Sequence, residues 1–172
     1  DSLGSQSLRR VVANQIDRCE LSAVEAIPSG GSVTLMFNMS IAKPKLWSSA
    51  TPNLYTLSAT IHKPDGPSCD TSSPIVDVVN VTHGIRSLRY DADTGFFLNR
   101  EHFKVRGFCD HNDFAVVGMA VPPRVNLFRA QASRAVGGNG RRTSHNPPDR
   151  GLLEIYDRVG ITVMDENRAH HT

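Results

Sequence analysis

No stretch of this sequence approaches the roughly 20 consecutive apolar residues that a membrane-spanning helix needs, so no membrane partner is expected. Charge of one sign is missing too: 19 lysines and arginines stand against 17 aspartates and glutamates, a formal net charge of +2. Nucleic-acid-binding domains usually show a basic patch or stripe, so this balance argues against nucleic acid as the main partner. Cysteine is scarce and odd in number, with Cys19, Cys69 and Cys109 and no CxxC spacing. That excludes a zinc ribbon or a redox pair and leaves three unpaired thiols as the expectation. Also missing are an initiator methionine and a charged-then-apolar leader. The chain starts at Asp1, and both of its ends read as truncations of a longer protein. The compartment is therefore left open, although Asn38-Met39-Ser40 and Asn80-Val81-Thr82 fit the N-glycosylation acceptor pattern and give a slight pointer to secretion.

What is present is a globular composition: 39% hydrophobic and 21% charged residues over 172 positions. This excludes a disordered chain and allows one ordinary domain or two small pieces. The first half reads as β. Residues 32–38 form a strand candidate after the turn signal Ser29-Gly30-Gly31. Residues 53–61 alternate apolar and polar, which predicts a strand with one buried face. Residues 74–81 are rich in valine and isoleucine, and Lys63-Pro64-Asp65-Gly66-Pro67 supplies turn chemistry between the two runs. Short strands between turn clusters suggest a β-sandwich.

The second half changes character. Residues 103–109 read as a strand. Residues 122–136 read as a helix started by Pro122-Pro123, with Val125, Phe128, Ala132 and Ala135 at roughly helical spacing. Residues 139–145 form a weaker strand. Residues 149–159 are a second helix with Leu152, Leu153, Ile155 and Tyr156 on an apolar stripe and Gly160 at its end. Ile161-Thr162-Val163-Met164 is a third strand. The order is β-α-β-α-β, for which parallel strands and right-handed crossovers are expected. Ligand groups then gather at the carboxyl ends of the strands: His111 to Asp113, Thr143 to Asn146, and Asp165 to Asn167. A doubly wound sheet would show the same alternation, so periodicity alone does not select a barrel.

One run is more specific. Asn139-Gly140-Arg141-Arg142-Thr143-Ser144-His145-Asn146-Pro147-Pro148, followed by Leu152-Leu153, Asp157 and Gly160-Ile161-Thr162-Val163-Met164, closely resembles the barrel signature of glycoside hydrolase family 2. Leu46-Trp47-Ser48 with Thr51-Pro52-Asn53-Leu54-Tyr55 is similar to a segment of that family's immunoglobulin-like domain. Gly84-Ile85-Arg86 with Phe96-Phe97-Leu98-Asn99 looks like its junction into the barrel, and residues 106–114 resemble the end of its first barrel strand. The resemblance runs from about residue 30 to 172. It implies an all-β immunoglobulin-like sandwich at 1–87, truncated at its N-terminus, followed at 88–172 by the first β-α-β-α-β portion of a (β/α)8 TIM barrel. It also implies a retaining glycosidase of the β-galactosidase type with a carbohydrate, a terminal β-galactoside, as partner. β-Glucuronidase and β-mannosidase activities share the scaffold. The oligomeric state stays open, a homo-oligomer of the full-length protein included. A different class of reading is a truncated paralogue kept as a binding or structural module.

The same resemblance places the two catalytic glutamates on later strands, beyond Thr172, so no catalytic residue is expected in this chain and the chain alone is expected to be inactive. It implies substrate-binding roles for His111, Arg142 and His145, with Arg142 holding a carboxylate ionised and oriented. Asn146, Asp165 and Glu166 are expected to support them. An isolated histidine is more often structural than functional, and it is the surrounding motif that tips the reading. Ser144-His145 is no triad, since adjacent residues cannot orient one another in that way. Asp165 and Glu166 are adjacent, so they are badly placed for a catalytic pair. No cofactor is expected here: some family members use magnesium, but no such site is recognisable at residues 168–172, and His170-His171 is a poor metal pair. The sequence departs from the family at Arg141, expected to point outward under the helices as an unpaired and costly charge. It departs again at Gly138-Asn139-Gly140, expected to loosen the strand.

Overall fold

The fold is described from a computed structural model, which describes residues 7–14, 29–36, 39–62 and 74–167, with the side chains of 7–14 left aside. The chain divides into two compact units. One comprises Asp1–Pro44 and Tyr55–His83, and the other Lys45–Leu54 and Gly84–Thr172. Lys45–Leu54 is thus grouped with the second unit although it precedes Tyr55–His83 in the chain.

The first unit contains strands β1 (Ser7–Asn14), β2 (Tyr55–His62) and β3 (Ile75–His83), joined antiparallel in the order β1-β2-β3. The alternation at 53–61 and the valine-rich run at 74–81 thus form neighbouring strands, with Tyr55 opposite His83 and Leu57 opposite Val81. The expected single buried face of β2 does not appear, because residues 56–61 are half-buried on both sides. Residues 32–36 form no strand, a correction to the expectation for 32–38; Val33 and Met36 stand exposed without a ladder to join. Phe37, Asn38 and the turn at residues 63–67 lie outside the described residues. Asn80 of the second acceptor pattern is exposed on β3, and its Oδ1 accepts a bond of 2.5 Å from Ser58 Oγ.

The second unit opens with a small antiparallel sheet in which β4 (Leu88–Asp91), β5 (Gly95–Leu98) and β6 (Glu101–His102) follow one another. Sequence reading treated this stretch only as a junction. Its turn is made by Asp91, whose carboxylate accepts bonds from Asp93 N, Thr94 N and Thr94 Oγ1. The Thr94 bonds hold the Asp91 carboxyl at about 2, below its ordinary 3.8.

Then come β7 (Gly107–Asp110), α1 (Pro123–Ala135), β8 (Gly140–Thr143), α2 (Arg150–Val159) and β9 (Thr162–Met164). β7, β8 and β9 are parallel and adjacent in that order, so the β-α-β-α-β expectation is met. The first strand is shorter than expected and starts at Gly107. There a Cβ would lie 2.3 Å from Gly140 O on the paired strand, and a Cβ at Gly140 would lie 2.5 Å from Val105 Cγ1. Gly140 is therefore a close-packing residue rather than a loosening one.

The two helices differ in how well their faces were read. α2 buries Leu152, Ile155 and Tyr156 as expected. It is started by Asp149, whose carboxylate accepts from Leu152 N, and stopped by Gly160 at φ 80°, a conformation that favours glycine. α1 is a correction. Its buried face is Asn126, Ala130 and Ser133, while Phe128, Ala132 and Ala135 are exposed. Ala130 joins Leu152, Ile155, Tyr156 and Ile161 in the core of this unit. Burying each large aliphatic side chain contributes about 1.5–3 kcal/mol.

Lys45–Leu54 is fastened to the helices. Trp47 is buried, its Nε1 donates to Asp157 O at 2.8 Å, and Ser49 Oγ donates to Gly160 O at 2.5 Å. Arg134 donates to Ser49 O at 2.8 Å and to Gly138 O at 3.0 Å.

Candidate functional site

Parallel pairing puts the carboxyl ends of β7, β8 and β9 side by side, and the side-chain alternation of a strand decides what each end shows. Cys109 is the register partner of Arg142, so both point to one face. Arg142 Nη1 meets Cys109 Sγ at 3.1 Å. Thr143, the next residue, points the other way and is buried. Its Oγ1 accepts from Glu166 N at 2.9 Å and donates to Asp165 Oδ1 at 3.3 Å.

Glu166 is where the expected residues meet. Its Oε1 pairs with Arg142 Nε, and its Oε2 lies 3.1 Å from His145 Nδ1. The His145 ring is in turn 5.8 Å from that of His111, edge to face. Arg142, His145, His111 and Glu166 thus form one cluster. Asp165 is turned to Thr143 instead, and Asn146 is half-buried just beyond His145. Ser144 Oγ is buried with no hydrogen-bond partner, which leaves Ser144 and His145 unrelated as a catalytic pair. The Ser144–His145 peptide is cis.

The electrostatics follow from these contacts. The hydrogen bond from Arg142 holds the Glu166 carboxyl below its ordinary 4.5, against the opposing effect of burial. The same bond pushes the Arg142 guanidinium further above its usual range. A carboxyl lowered on folding adds stability above its unfolded value, and that contribution is lost as pH falls through the folded value. Arg142→Ala should therefore move the Glu166 titration up toward 4.5, read by carbon NMR of the side-chain carboxyl. An unmoved titration would break the assignment. Chemically, the cluster presents one guanidinium and two imidazoles around a fixed carboxylate, groups suited to hydrogen-bonding a hydroxylated ligand.

The other face of β8 corrects the reading of Arg141. It does point away from this cluster, and its side chain is 9% exposed. It has an ion-pair partner, with Nη2 3.4 Å from Asp110 Oδ2 and the guanidinium 5.5 Å over the Phe108 ring, while its Nε is buried without a hydrogen bond. Asp110 also pairs with Arg129 from α1. Arg129 donates onward to Asp113 O at 3.0 Å and to His111 O at 3.2 Å. The segment carrying His111 is thereby tied to α1. Sequence reasoning missed Arg129 and Asp110; the only available signal was a lone acid opposite an out-of-place arginine. Tyr156 lies beside Arg141 and Asp110, and burial pushes its hydroxyl up.

Among the described residues no group of three histidine, cysteine, aspartate or glutamate side chains gathers as a metal site. Cys109 is a free, exposed thiol. Cys19, Cys69, His170 and His171 lie outside the described residues.

Comparison with known proteins bears on the whole chain. Residues 9–86 match the family described as "Glycosyl hydrolases family 2", and residues 92–172 match "Glycosyl hydrolases family 2, TIM barrel domain". The chain is 36% identical over 138 residues to the Beta-galactosidase BoGH2A of Bacteroides ovatus, covering 80% of this chain and 15% of that protein. It is 31% identical over 149 residues to a Beta-glucuronidase of Bacteroides fragilis, covering 86% of this chain and 20% of that one. A crystal structure of a glycosyl hydrolase family 2 member from Bacteroides cellulosilyticus aligns with TM-score 0.78 and 27% identity, over 95% of this chain and 22% of its own. The chain therefore spans a fifth or less of the curated relatives named here.

Proposed function

Because the chain belongs to glycoside hydrolase family 2, we propose that it is one part of a retaining glycosidase that removes terminal β-D-galactosides, and that it contributes sugar contacts rather than the catalytic carboxylates. The observation that carries this reading is the single cluster of Arg142, His145 and His111 around Glu166. In it, Arg142 holds Glu166 ionised and fixed, and the two imidazoles take substrate hydroxyls. Asn146 and Asp165 support the strand ends that carry them. The galactoside preference is supported by the similarity to BoGH2A.

A second reading, action on β-glucuronides, is favoured by the similarity to the Bacteroides fragilis protein. The test is to assay the protein in which this segment resides on paired chromogenic β-galactoside and β-glucuronide substrates. Preference for the galactoside is expected, and preference for the glucuronide selects the second reading. In the same protein Arg142→Ala should lower kcat/KM by about 10²-fold, the order expected when positioning is lost at an active site, with the fold intact by circular dichroism. Failure to turn over either sugar would sink both readings.

A further inference from the structure

Away from the Glu166 cluster, the second unit holds a cleft of about 350 Å³ lined by Asn112, Met119, Val121, Asn126, Arg129 and Asp149, with Ala120 and Leu152 completing its wall. That volume is within the range of small-molecule sites. Its central feature is Asn126 on the inner face of α1. The residue is only 7% exposed, yet among the described residues its side-chain amide makes no hydrogen bond. Buried polar side chains are normally bonded, and the Asn126 amide, whose polar atoms are not sealed off from the cleft, is open to a partner there. A carboxamide in that state, lining a cleft, offers two donors and an acceptor to whatever enters.

The surrounding chemistry narrows the ligand. Asp149 caps α2 through Oδ2, which accepts from Leu152 N at 3.2 Å, and leaves Oδ1 as a further acceptor. Arg129 is the one cation of this lining, and its donors are already engaged by Asp110, which it shares with Arg141, and by His111 O and Asp113 O. A carboxylate on one side and a guanidinium whose donors are already engaged on the other disfavour an anion. Balanced donors and acceptors against an apolar wall of Met119, Ala120, Val121 and Leu152 suit a neutral molecule that carries hydroxyls on one side and C–H groups on the other. We propose that the cleft around Asn126 is a second binding site, separate from the Arg142 cluster, for a neutral sugar.

The experiment uses the full chain, labelled for NMR and titrated with methyl β-D-galactopyranoside as the probe. The Asn126 side-chain amide and the Met119 methyl should shift saturably, and these shifts should persist in Arg142→Ala. Asn126→Leu should weaken the binding read at the Met119 methyl about tenfold while shifts at His145 survive. Asn126→Asp, close in shape, serves if the leucine variant fails to fold, and should also weaken binding. Three results would each overturn the proposal: no shift at Asn126 in folded protein, loss of the Asn126 shifts in Arg142→Ala, or tighter binding of inorganic sulfate than of the sugar. The His145 shifts report on the first site independently, so failure of one site is distinguishable from failure of the other.

Discussion

The chain of 172 residues, purified by itself, should leave both a chromogenic β-galactoside and a chromogenic β-glucuronide unhydrolysed above the buffer rate. Retaining hydrolysis needs two carboxyl groups about 5–5.5 Å apart, one as nucleophile and one as acid and then base. At the strand ends the candidates among the described residues are Asp165 and Glu166. Glu166 is held ionised by Arg142 and engaged by His145, so it is a poor proton donor and each of its oxygens already has a partner. Asp165 is turned to Thr143. The two follow one another at the end of β9 and face different partners, so neither flanks a bond with the other. Loss of a single nucleophile costs on the order of 10⁶ in rate in a well-studied hydrolase, and among the described residues at these strand ends neither role has an occupant. Turnover by the isolated chain, with a loss on Glu166→Gln, would show that the pair has been misread.

Trp47→Ala should cost about 3–5 kcal/mol, the range for deleting a large buried aromatic side chain. Trp47 is 1% exposed. Its ring carries the Arg86 guanidinium 4.9 Å above it, and Gly84 packs so closely that a Cβ there would lie 2.9 Å away. Its Nε1 satisfies Asp157 O at the end of α2, and its own carbonyl accepts from Asn99 Nδ2 at 2.9 Å. Removing the indole opens a cavity where Lys45–Leu54 meets the helices and strips a carbonyl of its donor. Trp47→Phe keeps most of the volume and should lose about 0.5–1.5 kcal/mol for the hydrogen bond, plus the fit of the larger ring. Denaturation followed by circular dichroism measures both. Trp47 is the only tryptophan, so its fluorescence is a second probe of the parent chain. Equal stability of Trp47→Ala and the parent would mean that this segment does not hold the unit together.

Much of this was legible in the residues themselves. Local rules sufficed where the cause was local: Asp149 and Gly160 bound α2 through capping and a left-handed turn. The stripe of Leu152, Ile155 and Tyr156 names its buried face because large aliphatic and aromatic side chains at helical spacing have one way to leave water. The motif from Asn139 to Pro148 indicated which strand ends would carry Arg142 and His145, and alternation along β8 separated Arg142 from Arg141.

Tertiary structure decided what depends on partners distant in sequence. α1 buries Asn126, Ala130 and Ser133 rather than its larger apolar residues, since small side chains suit a close approach that periodicity alone cannot reveal. Arg141 is tolerated because Asp110, 31 positions away, and Phe108 meet it across a parallel pairing; a charge's cost depends on its neighbours, which composition does not list. Lys45–Leu54 reads as part of the β-rich half, yet it is held by Asp157, Gly160 and Arg134, 85 to 111 residues away. Glu166, read as a supporting residue, stands at the centre of the cluster because strand pairing brings Arg142 and His145 to the same carboxylate. Local propensity and periodicity thus set the order and ends of the elements, while the meeting of side chains from different strands set the chemistry of the site.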